Sequence, residues 1–177
     1  MGIRITTIEQ LIQNLNMGPG HLGYEEWVAS IEIPISELLT IIGSHEKGHL
    51  RICLYDTPEI EAILTHWKPG ESTDIHDYND QQAWTKVLGG QLVLECFDIS
   101  SAPSASVTET KLIDEGEMIY LNDSFGFHRF SNLGTEDAFA IHIYADKIKA
   151  WHMYDEDTGE VTTQATYCHH SLLDEPS

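Results

Sequence analysis

The segment GESTDIHDYNDQQAWTKVLG, residues 70–89, sets two donor side chains and two glycines at a spacing that decides how the rest of the chain is read. Gly70 is followed after five residues by His76, after one more by Tyr78, after three more by Gln82 and after six more by Gly89. In an extended strand alternate side chains share a face, so His76 and Tyr78 point together and Asp77 points away. The glycine pair Gly89-Gly90 tolerates positive φ and suits a two-residue hairpin, which predicts strands on both sides of it.

Outward from this segment the pattern continues as short alternating or apolar runs separated by Gly, Pro, Asp and Asn, the mark of many antiparallel strands. The expected strands cover residues 49–56, 61–68, 84–89, 91–99, 106–112, 118–122, 126–132 and 138–144. Upstream the periodicity is helical. Thr7 and Gln10 form a capping-box pattern ahead of Leu11, Ile12 and Leu15, with Asn16 and the Gly-Pro-Gly at 18–20 as the stop. A second helix is expected from Tyr24 to Ser30, and a third from a Ser36 cap to Gly43. These helices should pack as a lid on a sheet. The expected organisation is a single domain over 1–177: a helical part at 1–45, a mainly β small jelly-roll barrel at 46–165, and a tail at 166–177 whose LLDEPS end frays, with a hairpin turn at DEDTGE, residues 155–160, after Trp151.

Composition narrows the function classes. With 29 Asp and Glu against nine Lys and Arg, the formal charge is −20. A phosphate backbone requires a basic patch, so no nucleic-acid partner is expected, and an anionic membrane surface is disfavoured on the same ground. No run approaches the roughly 20 apolar residues of a membrane span, and residues 1–16 have no apolar core of signal length. Cys53, Cys96 and Cys168 are odd in number and match neither a zinc pattern nor a disulfide framework, so the expected setting is a reducing cytoplasm. No phosphate-binding loop, dinucleotide fingerprint or Ser-His-Asp arrangement occurs at usable spacing. The expected partner is a small-molecule substrate, in a monomer or small homo-oligomer.

Residues 70–89 resemble the first motif of the cupins, in which a second His stands at the position of Tyr78 and a Glu at that of Gln82. A second cupin-like motif is GEMIYLNDSFGFHRFSN, residues 116–132, one residue longer than the usual form and without its Pro. With the segments HWKPGESTDIHDY, YLNDSFGFHR and IHIY, the chain from about His49 to Tyr154 resembles the cysteine dioxygenase family of thiol dioxygenases. The resemblance implies a cupin barrel with N-terminal α-helices. It also implies a mononuclear non-haem iron held by three His, an Arg that pairs with the substrate carboxylate, and a His and Tyr two residues apart near the substrate.

Carried over residue by residue, His76 and His128 match metal ligands; the competing reading is a satisfied structural imidazole. Tyr78, in place of the remaining His, either binds metal as a phenolate, after losing a proton with a free pKa of about 10, or only fills the cavity. Arg51 matches the carboxylate-binding Arg and shares a strand face with His49 and Cys53; the alternative is an internal salt bridge. His49 is a weak further candidate to approach a metal. His142 and Tyr144 match the substrate-lining catalytic pair, or else serve structure alone. The family's Ser two residues before this His is Ala140, and Ala83 stands where some members carry the Cys of a Cys–Tyr thioether, so no thioether forms. Asp77 is expected at the surface or as support to a ligand, and Trp67, Trp84 and Cys96 in the core. The resemblance implies a cysteine dioxygenase-like non-haem iron oxidoreductase acting with dioxygen on a small carboxylate-bearing thiol or amino-acid-like substrate, with altered metal ligation. The alternative is a cupin without redox metal that binds a small carboxylated metabolite or catalyses a non-oxidative elimination or isomerisation.

Overall fold

Thr7 opens the first helix as its sequence predicts. A computed structural model describes residues 4–18, 23–43, 49–79, 81–101 and 104–171. In it α1 (Ile8–Met17) is capped by the Thr7 hydroxyl, which accepts from Gln10 N at 3.1 Å. The Gln10 carboxamide returns one residue further back than in a standard capping box, accepting from Thr6 N at 2.8 Å. Gly18 ends the helix at φ 73°, while Pro19 and Gly20 lie outside the described residues. α2 spans Gly23–Ala29 and α3 spans Ile35–Ile42, with Gly43 as its C-cap at φ 61°. The cap of α3 is Pro34 and not Ser36, because proline at φ −67° already holds an extended residue at the helix entrance and its carbonyl starts the first turn with Glu37 N at 3.0 Å.

The strands are β1 (Leu50–Asp56), β2 (Ile60–Trp67), β3 (Ile75–His76), β4 (Gln82–Gly89), β5 (Gln91–Asp98), β6 (Ser106–Asp114), β7 (Met118–Leu121), β8 (Phe127–Ser131), β9 (Ala138–Ala145), β10 (Ala150–Tyr154), β11 (Val161–Ala165) and β12 (His170–Ser171). They form two six-stranded sheets, ordered β12-β1-β2-β9-β4-β7 and β11-β10-β3-β8-β5-β6. The eight expected strands are present with ends shifted by a residue or two. The predicted DEDTGE turn joins β10 to β11. β3, at two residues, is too short for any periodicity to reveal, and β12 adds parallel to β1 through Ile52↔His170 and Cys53↔Ser171. The LLDEPS end lies outside the described residues.

The Gly89-Gly90 hairpin is overturned. β4 pairs with β7 and β9, and β5 with β6 and β8, so the two glycines turn the chain from one sheet to the other. The corner needs both glycines for lack of room: a Cβ on Gly89 would meet Ile35 Cδ1 at 2.4 Å, and one on Gly90, at φ 68°, would meet Asp137 O at 2.5 Å.

Alternation along the first sheet sorts two apolar layers. Leu50, Ile52, Leu64, Trp84, Phe139, Ile141 and Ile143 face outward and are covered by the helices through Leu11, Leu15, Trp27 and Leu38. Each such large side chain contributes roughly 1.5–3 kcal/mol on burial. Trp84 stacks on Tyr24 at 4.9 Å, and buried Lys86 ties the end of α2 to the barrel, donating to Ala29 O at 3.2 Å and Gly116 O at 2.6 Å. The opposite face, with Cys53, Ile63, Trp67, Ala83, Ala140 and Tyr144, meets Leu92, Leu94, Cys96 and Phe130 of the second sheet. Trp67, Trp84 and Cys96 are core residues, as expected. The space between the sheets also contains the polar residues of the candidate site.

Candidate functional site

Three elements bring His76, Tyr78 and His128 together inside the barrel. β3 lies between β8 and β10, and the register sets His76 directly opposite His128. Their ring centroids are 4.7 Å apart. Tyr78 follows with the same parity, its ring 4.4 Å from that of His128 and 5.7 Å from that of His76. All three are at least 96% buried, with exposures of 3% for His76, 4% for Tyr78 and 1% for His128.

Each histidine is oriented by the backbone two residues before it. His76 Nδ1 lies 2.9 Å from Asp74 O and His128 Nδ1 lies 3.0 Å from Gly126 O. A carbonyl only accepts, so Nδ1 carries the proton in both rings and Nε2 keeps its lone pair. His128 Nε2 is buried with no hydrogen-bond partner among the described residues. Burial first, then the neighbouring His128, holds His76 well below the usual imidazole range; burial pushes His128 down to about 4, against the Gly126 hydrogen bond. Both rings are neutral near pH 7, the form a metal requires. Burial and then Tyr144 push the Tyr78 phenol well above 10, whereas Arg51 pulls it down. Among the described residues no cluster of three or more His, Cys, Asp or Glu is placed to hold a metal. A centre with three protein ligands here needs a donor of another kind, and the Tyr78 ring lies beside the imidazole pair.

Arg51 enters the same space from β1. It is 6% exposed, and its guanidinium lies 5.0 Å from the Trp151 ring centroid. Its Nε donates to Tyr167 O at 3.2 Å, and Tyr144 is near enough to raise its affinity for a proton. The Tyr144 ring lies edge-on to that of Tyr78 at 5.5 Å. Among the described residues no carboxylate lies within 4.0 Å of this guanidinium. The salt bridge offered as the alternative for Arg51 is thus not formed by the described residues, and a buried cation keeps donor capacity.

His142 and Tyr144 project inward from β9, their rings parallel at 6.2 Å. His142 is bracketed by two hydroxyls, Thr65 Oγ1 at 2.9 Å from Nε2 and Thr85 Oγ1 at 2.8 Å from Nδ1. Trp67 Nε1 donates to Thr65 Oγ1 in turn. Burial, then Arg51, pushes His142 down to about 3, so the folded state refuses a proton that the unfolded state accepts below pH 6.5. Stability present above pH 6.5 is therefore lost on acidification until the folded pKa is reached, by up to roughly 1.4 kcal/mol per pH unit for this one group. Urea unfolding between pH 6.5 and 4.5 is expected to show a shallower loss in His142→Gln than in the parent; equal slopes would remove His142 from the acid response.

His49 does not join the imidazole pair by ring contact. It stacks on Trp67 at 4.6 Å with His169 edge-on at 6.3 Å, and burial, then Arg51, lowers it to about 4. Asp77 turns outward and accepts from His152 N at 3.0 Å and His152 Nδ1 at 2.8 Å, tying the strand that carries His76 to β10. Asn132, the end of the second motif, is a buried tether that donates to Trp67 O and Glu136 O.

Several neighbours escaped the sequence reading. Trp151 lies 4.9 Å from the His76 ring and under Arg51, and its buried Nε1 has no partner. Thr65 and Thr85 take up the His142 nitrogens although Ala140 does not. Inward parity on β2 and β4 was the one available signal for these threonines. Tyr167 and His169 reach Arg51 from a segment read as tail, with no local pattern to announce them.

Comparison with known proteins bears on this arrangement. Cysteine dioxygenase type 1 of Rattus norvegicus is 25% identical over 152 residues, spanning 76% of this chain and 76% of that protein. The Danio rerio cysteine dioxygenase type 1 is 32% identical over 109 residues, 59% of this chain and 54% of that one. In three dimensions, an uncharacterised conserved protein with a double-stranded beta-helix domain from Klebsiella pneumoniae shares the fold at TM-score 0.52 and 14% identity, covering 64% of this chain and 90% of that chain. Residues 48–157 match the family cysteine dioxygenase type I; Arg51, His76, Tyr78, His128, His142 and Tyr144 all fall inside that match, and Tyr167, Cys168 and His169 fall beyond it. A match over more than half of a chain folded as a cupin makes this protein a member of the cysteine dioxygenase type I family.

Proposed function

We propose that this protein is a non-haem iron oxidoreductase of cysteine dioxygenase type, acting with dioxygen on a small thiol that bears a carboxylate. The observation that carries the reading is His128 Nε2, buried, unprotonated and without a partner beside the rings of His76 and Tyr78. A lone pair kept dry in that way costs roughly 1–3 kcal/mol unless something binds it. In this reading His76 and His128 hold iron through Nε2, and Tyr78 through its oxygen. Iron supplies the redox capacity for joining dioxygen to sulfur.

The chain's own residues do the rest. Arg51 binds the substrate carboxylate with the donors left over from Tyr167. Trp151 walls the cavity between Arg51 and His76, which limits the substrate to a short carbon skeleton. Tyr144 packs edge-on against the Tyr78 ring and would keep its hydroxyl aimed at the imidazole pair, and as a ligand Tyr78 would have to give up its proton to solvent or substrate. His142, oriented by Thr65 and Thr85 and kept neutral by burial and Arg51, keeps the rear of the cavity uncharged. Trp67 and Phe130 exclude water.

A second reading is favoured by the Tyr78 phenol, whose proton burial retains strongly. In it the cavity holds no redox metal, and Arg51 anchors a carboxylated metabolite for binding or for a non-oxidative elimination or isomerisation. Elemental analysis of protein prepared without added metal, with oxygen uptake on cysteine and related thiols, separates the two. Iron near one per chain with thiol-dependent uptake is expected. Negligible metal and no uptake, with retained binding of carboxylated ligands, would replace the first reading by the second.

A further inference from the structure

We propose that His169 is a positioning residue for Arg51: together with the Tyr167 carbonyl it holds the backbone and the Nε of that arginine, so that the terminal nitrogens meet a substrate carboxylate as a preset fork. The proposal rests on the reading of Arg51 as the carboxylate anchor, which both functional readings above share. β1 pairs with β2 on one side, and on the other β12 begins only at His170, opposite Ile52. Arg51 stands one residue before that ladder, so its backbone groups need a partner of another kind. His169 supplies one for each: its N donates to Arg51 O at 2.8 Å, and its Nδ1 accepts from Arg51 N at 3.1 Å. An amide N–H only donates, so Nδ1 keeps its lone pair and the ring proton sits on Nε2. The same segment reaches the far end of the side chain, where Tyr167 O accepts from Arg51 Nε at 3.2 Å.

The segment that does this is itself anchored. Thr166 N donates to Lys149 O at 3.3 Å and its Oγ1 donates to Ile148 O at 2.7 Å, which ties it to the residues just ahead of β10. The Tyr167 ring meets Trp151 edge-on at 6.5 Å and His169 at 5.2 Å, and His169 is edge-on to His49, which stacks on Trp67. Trp151 lies under the guanidinium and completes the frame. A guanidinium carries five N–H donors, one on Nε and four on the terminal nitrogens. With Nε occupied by Tyr167 O, a bidentate carboxylate contact comes end-on, from the two terminal nitrogens. A loose arginine side chain loses much rotamer freedom in closing such a contact, and one already held at both ends loses less. His169 thus strengthens carboxylate binding through Arg51, by lowering the cost of ordering it.

The test measures cysteine binding to the full chain by titration calorimetry, without dioxygen so that no turnover occurs. His169→Leu keeps bulk and removes the acceptor, and the dissociation constant for cysteine should rise by about 3- to 10-fold, the effect of one net hydrogen bond. His169→Asn returns an acceptor oxygen near the place of Nδ1 and should stay within about twofold of the parent. Cysteamine, which has no carboxylate for Arg51, should change by less than about twofold in either variant. The His169 side chain is exposed, so both variants should fold, which circular dichroism checks. Arg51→Gln is the reference: cysteine binding indifferent to it would overturn the anchor reading and the positioning role together. Binding weakened by Arg51→Gln and unchanged by His169→Leu would leave the anchor in place and overturn the positioning role alone. Equal weakening in the Leu and Asn forms, or of cysteine and cysteamine alike, would also overturn it, because a general loosening of the fold would then be the cause.

Discussion

Arg51→Gln is expected to lower kcat/KM for a carboxylate-bearing thiol such as cysteine by about 10²–10³-fold, or roughly 2.7–4 kcal/mol. The guanidinium is buried among Trp151, Tyr144 and the Tyr167 carbonyl, with no carboxylate among the described residues to pair it. Burial alone would lower its affinity for a proton, but Tyr144, Cys168 and Tyr78 more than restore it, so the charge stays on. An arriving carboxylate completes an ion pair in a dry space, where its removal costs far more than at a surface. Cysteamine, which lacks the carboxylate, is the control: it should be a poor substrate of the parent and respond little to the substitution. Iron content must be measured in the same preparation, because Arg51 also lowers the Tyr78 phenol. Unchanged kcat/KM for cysteine with unchanged iron would remove Arg51 from substrate binding. Arg51→Lys should recover only part of the loss, since an ammonium keeps the charge without the fork.

His128→Ala should reduce bound iron from near one per chain to below about 0.1, the largest effect expected of any single substitution on metal content. It removes the donor whose Nε2 has no other use in the fold. Tyr78→Phe makes the finer test: the ring contacts with His128 and Tyr144 survive and only the oxygen goes. If Tyr78 ligates, iron retention falls by about 10–100-fold and any visible absorption from phenolate on ferric iron disappears. Tyr78→His should restore retention with three neutral imidazoles, which favour ferrous over ferric iron. Iron content and activity identical in parent, Phe and His forms would leave Tyr78 as a cavity-filling residue.

How much of this was legible depended on the range of the interaction concerned. Parity along β1 and β9 placed Arg51 with Cys53 inside and Ile141 with Ile143 outside, because alternation is a property of each strand alone. The Thr7 cap likewise followed from residues three apart. The Gly89-Gly90 hairpin failed because local turn chemistry says that the chain bends, not which strand receives it; contacts with Ile35 and Asp137 make the bend a corner between sheets. The Ser36 cap failed for a similar reason, since Pro34 had already set the backbone.

What the sequence by itself determined is the series of strands and the spacing that aims His76 and Tyr78 to one side, for these rest on side-chain alternation and on neighbours within a few residues. Only the tertiary structure decided which distant groups meet: His128 across from His76, Thr65 and Thr85 around His142, Trp151 under Arg51, and Tyr167 O on the Arg51 guanidinium. Those meetings depend on sheet order and on the return of residues 167–171 to the edge of β1, and non-local strand pairing leaves no periodic trace in the chain that makes it.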